Sequence, residues 1–255
     1  MGAMDLGIAG RWAVVCASSK GLGFGCADAL ATEGVNLVVN ARNADTLGES
    51  AERLRRHGVE VREIVGSVAD AAVREELLDA APQIDIVVTN AGGPPPGDFR
   101  EWDEDAWLGA LRQNMLTAVE LIKATVDDMA SRGFGRIVNI TSGSVKAPIA
   151  NLGLSNGARS GLTGFVAGVA RQPQLASSSV TLNNLLPGRF ATDRIRETAG
   201  VAPGEDLPAP EGIPAGRFGD PAEFGAACAY LCSEQASYIT GQNLLLDGGA
   251  YPGTF

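Results

Sequence analysis

Trp12 to Glu33 reads WAVVCASSKGLGFGCADALATE, a buried strand, a glycine-bearing turn and a helix in direct succession. Trp12 to Cys16 is a short apolar run of strand type. Gly21 and Gly23 let the backbone turn sharply and approach a ligand with no Cβ in the way. The helix that opens there points its free N–H groups and positive dipole end at the place where a pyrophosphate would be held. Ala17, Ser18, Ser19, Lys20 and Leu22 complete the turn, with Ser18 and Ser19 read as hydroxyl donors and Lys20 as an ammonium donor. A lone glycine pair is weak, so the surrounding chain has to supply the context.

The 255 residues carry 45% hydrophobic side chains, enough to bury a substantial single core. Twenty Lys and Arg stand against thirty Asp and Glu, a formal net charge of -10, which argues against a broad basic face for nucleic acid. No apolar run reaches the roughly 18 residues that a membrane span needs. The N-terminal stretch lacks a basic region followed by a long apolar segment, so a cytoplasmic location is expected. The four cysteines, Cys16, Cys26, Cys228 and Cys232, lack the spacing of a disulfide scaffold or a metal site and read as small core residues, with no metal expected.

Beyond the opening stretch, strands are expected at 35–40, 59–65, 84–89, 135–142, 180–186 and 243–246. Helices are expected at 45–57, 70–81, 104–132, 152–172 and from Asp220-Pro221 onward. Alternation this regular predicts an α/β fold, a single Rossmann-type doubly wound domain over 1–255. Its seven-stranded sheet is mostly parallel, with helices on both faces. The loop Asn90 to Gly97 (NAGGPPPG) leaves the carboxyl end of the fourth strand, where ligands of open α/β sheets lie. Residues 189–219 collect prolines and glycines, a composition that predicts a mobile lid rather than a packed element.

With these elements in place the chain resembles the short-chain dehydrogenase/reductase family along nearly its whole length, in particular the 3-oxoacyl carrier protein reductase branch. The family's TGxxxGxG appears as Cys16 to Gly23, with Ala17 at the first glycine. Asn90-Ala91-Gly92 matches its NAG, Asn114 its helix asparagine, Ser142 its strand-end serine, and Pro187-Gly188 with Thr192 its PGxxxT. Asp247-Gly248-Gly249 near the C-terminus fits as well. The resemblance implies a nicotinamide cofactor, a homo-oligomer and a small-molecule substrate. A homotetramer is expected, with a dimer next, formed through helices 104–132 and 152–172, with Gly157, Ala158, Gly161 and Gly164 allowing close packing.

Charge at the end of the second strand bears on cofactor choice. Where NAD-preferring members hold the ribose with a carboxylate, this chain has Ala41 followed by Arg42, a planar cation suited to a 2'-phosphate, so NADP(H) is favoured over NAD(H). Ser67-Val68 stands where many members carry Asp-Val beside the adenine.

The chain departs from the family at the catalytic pair. Counting from Ser142 by the family's interval lands on Ser155, and Arg159 follows four residues on, so SxxxR replaces YxxxK. A phenol has a reference pKa of about 10. An aliphatic alcohol lies nearer to water at about 15.7, so Ser155 is a far poorer acid. Ser155 and Arg159, roughly 6 Å apart along a helix axis, read as donors to a substrate oxygen, and Arg159 as able to hold the nicotinamide ribose. Lys146 is the spare acid or base nearby, and water is the other proton source. Tyr230, Tyr238 and Tyr251 lie too far along the chain to stand in for the missing phenol. His57 closes an exposed helix and has no catalytic part.

Three functions are therefore open. The first is an NADP(H)-dependent oxidoreductase on a carbonyl or secondary alcohol, with Ser142, Ser155, Arg159 and Asn114 at its centre. The second is a cofactor-binding homologue without turnover, and the third a non-redox enzyme on the same scaffold. Arg189, Arg194 and Arg196 hint at an anionic substrate, although a solvated helix face explains them too, and the resemblance to the 3-oxoacyl carrier protein reductase branch implies an acyl thioester.

Overall fold

The computed structural model describes residues 4–202, 205 and 207–254, the side chain of Thr198 excepted. Seven strands run β1 (Trp12–Val15), β2 (Asn36–Ala41), β3 (Val61–Val65), β4 (Ile86–Thr89), β5 (Gly135–Ile140), β6 (Val180–Pro187) and β7 (Asn243–Leu246). They form one sheet in the order β3-β2-β1-β4-β5-β6-β7, and every strand pairing is parallel. The chain winds outward from β1 to β3, crosses back, and winds outward again from β4. The crevice beyond the carboxyl ends of β1 and β4 is thus the topological switch point.

Nine helices flank the sheet among the described residues: α1 (Gly21–Thr32), α2 (Ala44–Arg55), α3 (Ala71–Asp79), α4 (Glu104–Leu111), α5 (Thr117–Arg132), α6 (Gly153–Val169), α7 (Pro173–Ala176), α8 (Asp193–Ala199) and α9 (Pro221–Cys232). The two-residue period of β1 divides the core. Ala13 and Val15 face the cluster built with α1, α2 and α9, while Trp12, Val14 and Cys16 face the one built with α5 and α6. Strands buried on both faces read as continuous apolar runs, which is why they were legible. All four cysteines are buried, and burial pushes the Cys16 thiol up to about 12.

Helices α1 and α9 lie backbone against backbone. A Cβ on Gly225 would stand 2.1 Å from the carbonyl oxygen of Gly25, and one on Gly25 would stand 2.3 Å from that of Pro221. No larger residue fits at either position.

The single helix expected at 104–132 is instead two helices joined by a π-helical turn at Arg112–Leu116. Thr117 Oγ1 donates to the Arg112 carbonyl five residues back at 2.9 Å, and the widened turn carries the buried Asn114. Such turns occur often at functional sites.

The proline- and glycine-rich run is not uniformly irregular either, since α8 lies within it. Its two ends are pinned together: Gly219 N donates to the Arg189 carbonyl at 3.0 Å, and Ala191 N to that of Gly219 at 2.8 Å. Phe190 is buried against Phe224, ring centroids 5.2 Å apart. Pro203, Gly204 and Asp206 of the expected lid lie outside the described residues.

Some of the small residues expected between subunits also serve packing within the chain. A Cβ on Gly157 would lie 2.9 Å from the Trp107 ring and one on Gly161 2.9 Å from Met115 Sδ, so α6 packs on α4 and the π turn. Ala158 is fully buried, Gly161 is half-buried, and Gly157 and Gly164 are exposed, with nothing near a Cβ at Gly164.

Candidate functional site

A cavity of about 880 Å³ opens at the switch point and runs from the end of β2 to the end of β7. Its phosphate end is the turn after β1. Ser19, Lys20, Gly21 and Leu22 line it, and the N-terminus of α1 carries no side-chain cap, leaving its first-turn N–H groups to a ligand. Ala17 also lines the wall, with φ of 48°, in the left-handed region where an alanine costs about 1–2 kcal/mol. That strain follows from placing alanine at the first glycine of the motif. Asn90 Nδ2 donates to the Ala17 carbonyl at 3.3 Å and ties the turn to the end of β4.

Two residues of this stretch do not reach the cavity. Ser18 is fully buried. Its hydroxyl donates to the Val15 carbonyl at 2.9 Å and accepts from Asn40 N at 3.1 Å, so it clamps β1 to β2 and is no phosphate donor. Gly23 is buried beneath the turn, where a Cβ would sit 2.2 Å from the Ala17 carbonyl oxygen. Its requirement is close packing between helix and turn. Lys20 does line the wall, but its amine pairs with Asp193 of α8 at 3.4 Å.

At the far end of β2, exposed Arg42 lines the cavity beside Ala41, and no ion pair to it is seen among the described residues. Ser67 and Val68 lie on the same wall. Asn90, Ala91 and Gly92 line the middle, with Pro187, Gly188 and Thr192 also on the wall.

Ser142 and Ser155 both reach the substrate end. The Ser142 hydroxyl accepts from Ser144 N at 3.1 Å. Ser155, at 7% exposure in the first turn of α6, makes no hydroxyl hydrogen bond among the described residues.

Arg159 is one α-helical turn further on and 8% exposed. Its Nη1 donates to the carbonyls of Ile140 and Thr141 at the end of β5, and its Nη2 to Asn114 Oδ1 at 3.0 Å and the Ala91 carbonyl at 3.5 Å. Of the five N–H donors expected to serve a substrate oxygen or the nicotinamide ribose, four are thus turned toward the protein. The Nε hydrogen is left without a partner. Burial first, and then the charge of Arg194, lower the guanidinium to about 10, so it remains a cation at neutral pH. Asn114 touches the site only through Arg159 and does not line the cavity.

Lys146 is half-buried and lies off the cavity wall, its Nζ 5.8 Å from the centroid of Tyr251. It is Tyr251 that lines the cavity, with Leu245, Asp247 and Ala250. The fold thus brings to the site a phenol remote along the chain from Ser142 and Ser155. The pointer to it was the Asp247-Gly248-Gly249 turn, in which Asp247 Oδ2 accepts from Tyr251 N at 2.7 Å and folds the C-terminal segment back over β7. Gly93, Gln113, Ile149 and Leu152 are further wall residues that no motif marked.

Comparison with known proteins agrees with this geometry. A family model described as enoyl-(acyl carrier protein) reductase matches residues 16–251. The chain is 34% identical over 247 residues to dehydrogenase/reductase SDR family member 4 of Bos taurus, covering 93% of this chain and 86% of that protein. It is 30% identical over 255 residues to the 3-oxoacyl-[acyl-carrier-protein] reductase FabG of Vibrio harveyi, covering 96% and 99%. Among solved structures, L-sorbose reductase from Gluconobacter frateurii, complexed with NADPH and L-sorbose, superposes with a TM-score of 0.89 at 29% identity, covering 98% of this chain and 100% of that one. A seven-stranded parallel sheet with its cavity at the β1/β4 switch point, the matched motifs and these relatives place the chain in the short-chain dehydrogenase/reductase family.

Proposed function

We propose that the protein is an NADP(H)-dependent oxidoreductase that interconverts a carbonyl and a secondary alcohol, with Ser155 and Arg159 standing where the family has tyrosine and lysine. The observation that carries this reading is one continuous cavity joining Arg42, the uncapped α1 N-terminus and the Ser142–Ser155 end. The residues present fit a dinucleotide, because the wall is backbone and small side chains where the phosphates would approach. Amides of Ser19 to Leu22 and Thr192 would hold the pyrophosphate, Arg42 the 2'-phosphate, Val68 the adenine, and Asn90 to Gly92 with Pro187 and Gly188 the nicotinamide half. When bound, the nicotinamide supplies or accepts the hydride.

This chain's own residues then position the oxygen. Ser142 and Ser155 donate hydrogen bonds to it, and Arg159, braced by Asn114, adds a fixed positive charge close by that stabilises negative charge developing there. Neither hydroxyl is acidic enough to act as a general acid, so the proton comes from water or from Tyr251, the phenol on the wall. An NADPH-bound relative supports the choice of NADP(H), together with Arg42 and the absence of a carboxylate at the end of β2. A homotetramer formed through α4, α5 and α6 accords with exposed Leu108 and Leu116 and open Gly164. A cytoplasmic location accords with the lack of any described helix long and apolar enough to cross a membrane.

A second reading, nucleotide binding without turnover, is favoured by one observation: Arg159 spends most of its donors on main-chain carbonyls, as a structural residue would. Calorimetric titration with NADPH and NADH, followed by turnover assays on 3-oxoacyl thioesters, ketones and 2-, 3- and 4-oxo acids, separates the readings. NADPH binding with turnover is the expected result. Binding without turnover selects the second, and failure to bind either nucleotide rejects both.

A further inference from the structure

The π turn gives its two neighbouring amides different partners. Asn114 turns inward to Arg159, while Gln113 is half-buried and lines the cavity. The point at which Gly92 would carry a Cβ lies 3.8 Å from Gln113 Nε2, so the carboxamide stands over the loop that leaves β4. It makes no hydrogen bond among the described residues, and neither of its polar atoms is sealed inside the protein. Asn40, Ser67 and Asn90 on the same wall are already engaged. Asn40 Nδ2 donates to the carbonyls of Ile64 and Gly66, Asn90 Nδ2 to that of Ala17, and the Ser67 hydroxyl accepts from Ala69 N. Gln113 is thus a free donor and acceptor held on a fixed turn.

The flank from which this amide approaches decides what it meets. Val68 lines the same cavity and belongs to the buried cluster that holds Ala118, Leu121 and Ile122 of α5, the helix that directly follows the π turn. Gln113 and Val68 therefore look into the cavity from one flank, with Arg42 further along the wall at the end of β2. A dinucleotide with its 2'-phosphate at Arg42 and its adenine against Val68 turns an edge of the base to that flank. Once the nucleotide displaces water there, an amide without a partner would weaken binding, so the ligand has to supply one. A carboxamide presents one donor side and one acceptor in a plane, and an adenine edge presents its amino group beside a ring nitrogen, so the two can join through a pair of hydrogen bonds. We propose that Gln113 reads the adenine of the cofactor, its carboxamide pairing with the amino group of the base and a neighbouring ring nitrogen. The assignment rests on the proposed reading of the cavity as a dinucleotide site and on no step of its chemistry, so it holds with or without turnover. It adds a base-specific contact to the apolar one from Val68. The π turn then reads the cofactor with one amide and braces Arg159 with the next.

The test compares NADP+ with its 1,N6-etheno analogue, in which the bridged amino nitrogen has no hydrogen to donate and N1 is blocked. Both are titrated by calorimetry into the full-length protein and its Gln113→Leu and Gln113→Met variants. The parent should bind NADP+ at least about fivefold tighter than the analogue. Both variants should lose most of that preference by weakening NADP+, with the dissociation constant of the analogue within about twofold of the parent's. A preference that persists unchanged in both variants comes from the shape of the slot and overturns the assignment, as does equal binding of the two nucleotides by the parent. Equal losses for both nucleotides in both variants place Gln113 on a ribose or in the fold, and overturn it too. Failure of the parent to bind either nucleotide rejects the dinucleotide reading and the base contact with it, whereas NADP+ binding that Gln113 does not influence rejects the base contact alone.

Discussion

Asn114 Oδ1 accepts a hydrogen bond from Arg159 Nη2 at 3.0 Å, joining the π-helical turn between α4 and α5 to the buried cation of α6. The bond spans 45 residues of sequence and fixes where the guanidinium stands relative to the cavity. Removing the acceptor leaves a charged donor buried without a partner, so Asn114→Ala should lose about 2 kcal/mol of stability in urea unfolding. Asn114→Asp should keep the bond and recover most of that loss. Equal destabilisation by both replacements would show that the amide matters for the turn and not for the arginine.

Arg42→Asp reverses the charge at the end of β2 without disturbing the core, since the side chain is exposed. NADPH affinity should fall about tenfold, while NADH changes by no more than about twofold. The NADPH effect should shrink as salt is raised from 50 to about 500 mM, because an exposed charge is screened. Parallel losses for both nucleotides at every salt concentration would remove Arg42 from the 2'-phosphate assignment.

Glu223 opens α9 in a capping box with Asp220 and pairs with Arg217 at 2.6 and 2.8 Å. The hydrogen bonds from Arg217, and then from Asp220 N, hold its carboxyl down to about 2 from an ordinary 4.5. A depressed carboxyl contributes stability that is fully present above its unfolded value and is lost as pH falls through its folded value. Glu223→Gln keeps the capping geometry and removes the charge. The thermal stability gap between parent and variant should be constant from pH 7 to about 5 and close steadily toward pH 2. A gap that persists at pH 2 would mean that packing, not ionisation, gives Glu223 its effect.

The fold was readable because its inner strands are buried on both faces and read as apolar runs, while glycines and prolines punctuate several of the helix ends, so the alternation that sets the switch point follows from period and punctuation. What one sequence conceals is the direction of a side chain. Ser18 and Ser19 are neighbours of one type, yet one braces β2 and the other lines the cavity. Lys146 and Tyr251 exchange their expected places for the same reason: only the fold-back after Asp247 sets the phenol on the wall and the amine behind it. The π turn at Arg112–Leu116 was invisible because its residues carry ordinary helix propensity, and its widening is registered in the backbone and side-chain bonds from Thr117 to the Arg112 carbonyl five residues back.

Ser155→Tyr combined with Arg159→Lys tests whether the site is short of a proton donor or has been put to another use. Ser155 opens onto the cavity, so a phenol introduced there has room to face the oxygen that Ser142 would hold. The lysine would release the carbonyls of Ile140 and Thr141 that Arg159 now occupies, and water can take its place on them. General acid catalysis contributes about 10²–10⁴-fold, so the double variant should exceed the parent in kcat by at least about 10² on a reducible ketone. The single Ser155→Tyr change should give less, because the phenol needs the cation in its new position, and a lysine ammonium reaches differently from a planar guanidinium. The solvent isotope effect on kcat should fall as proton delivery ceases to limit the rate. A double variant that binds NADPH as tightly as the parent and gains nothing on any ketone would show that the site lacks more than an acid, and would favour nucleotide binding without turnover.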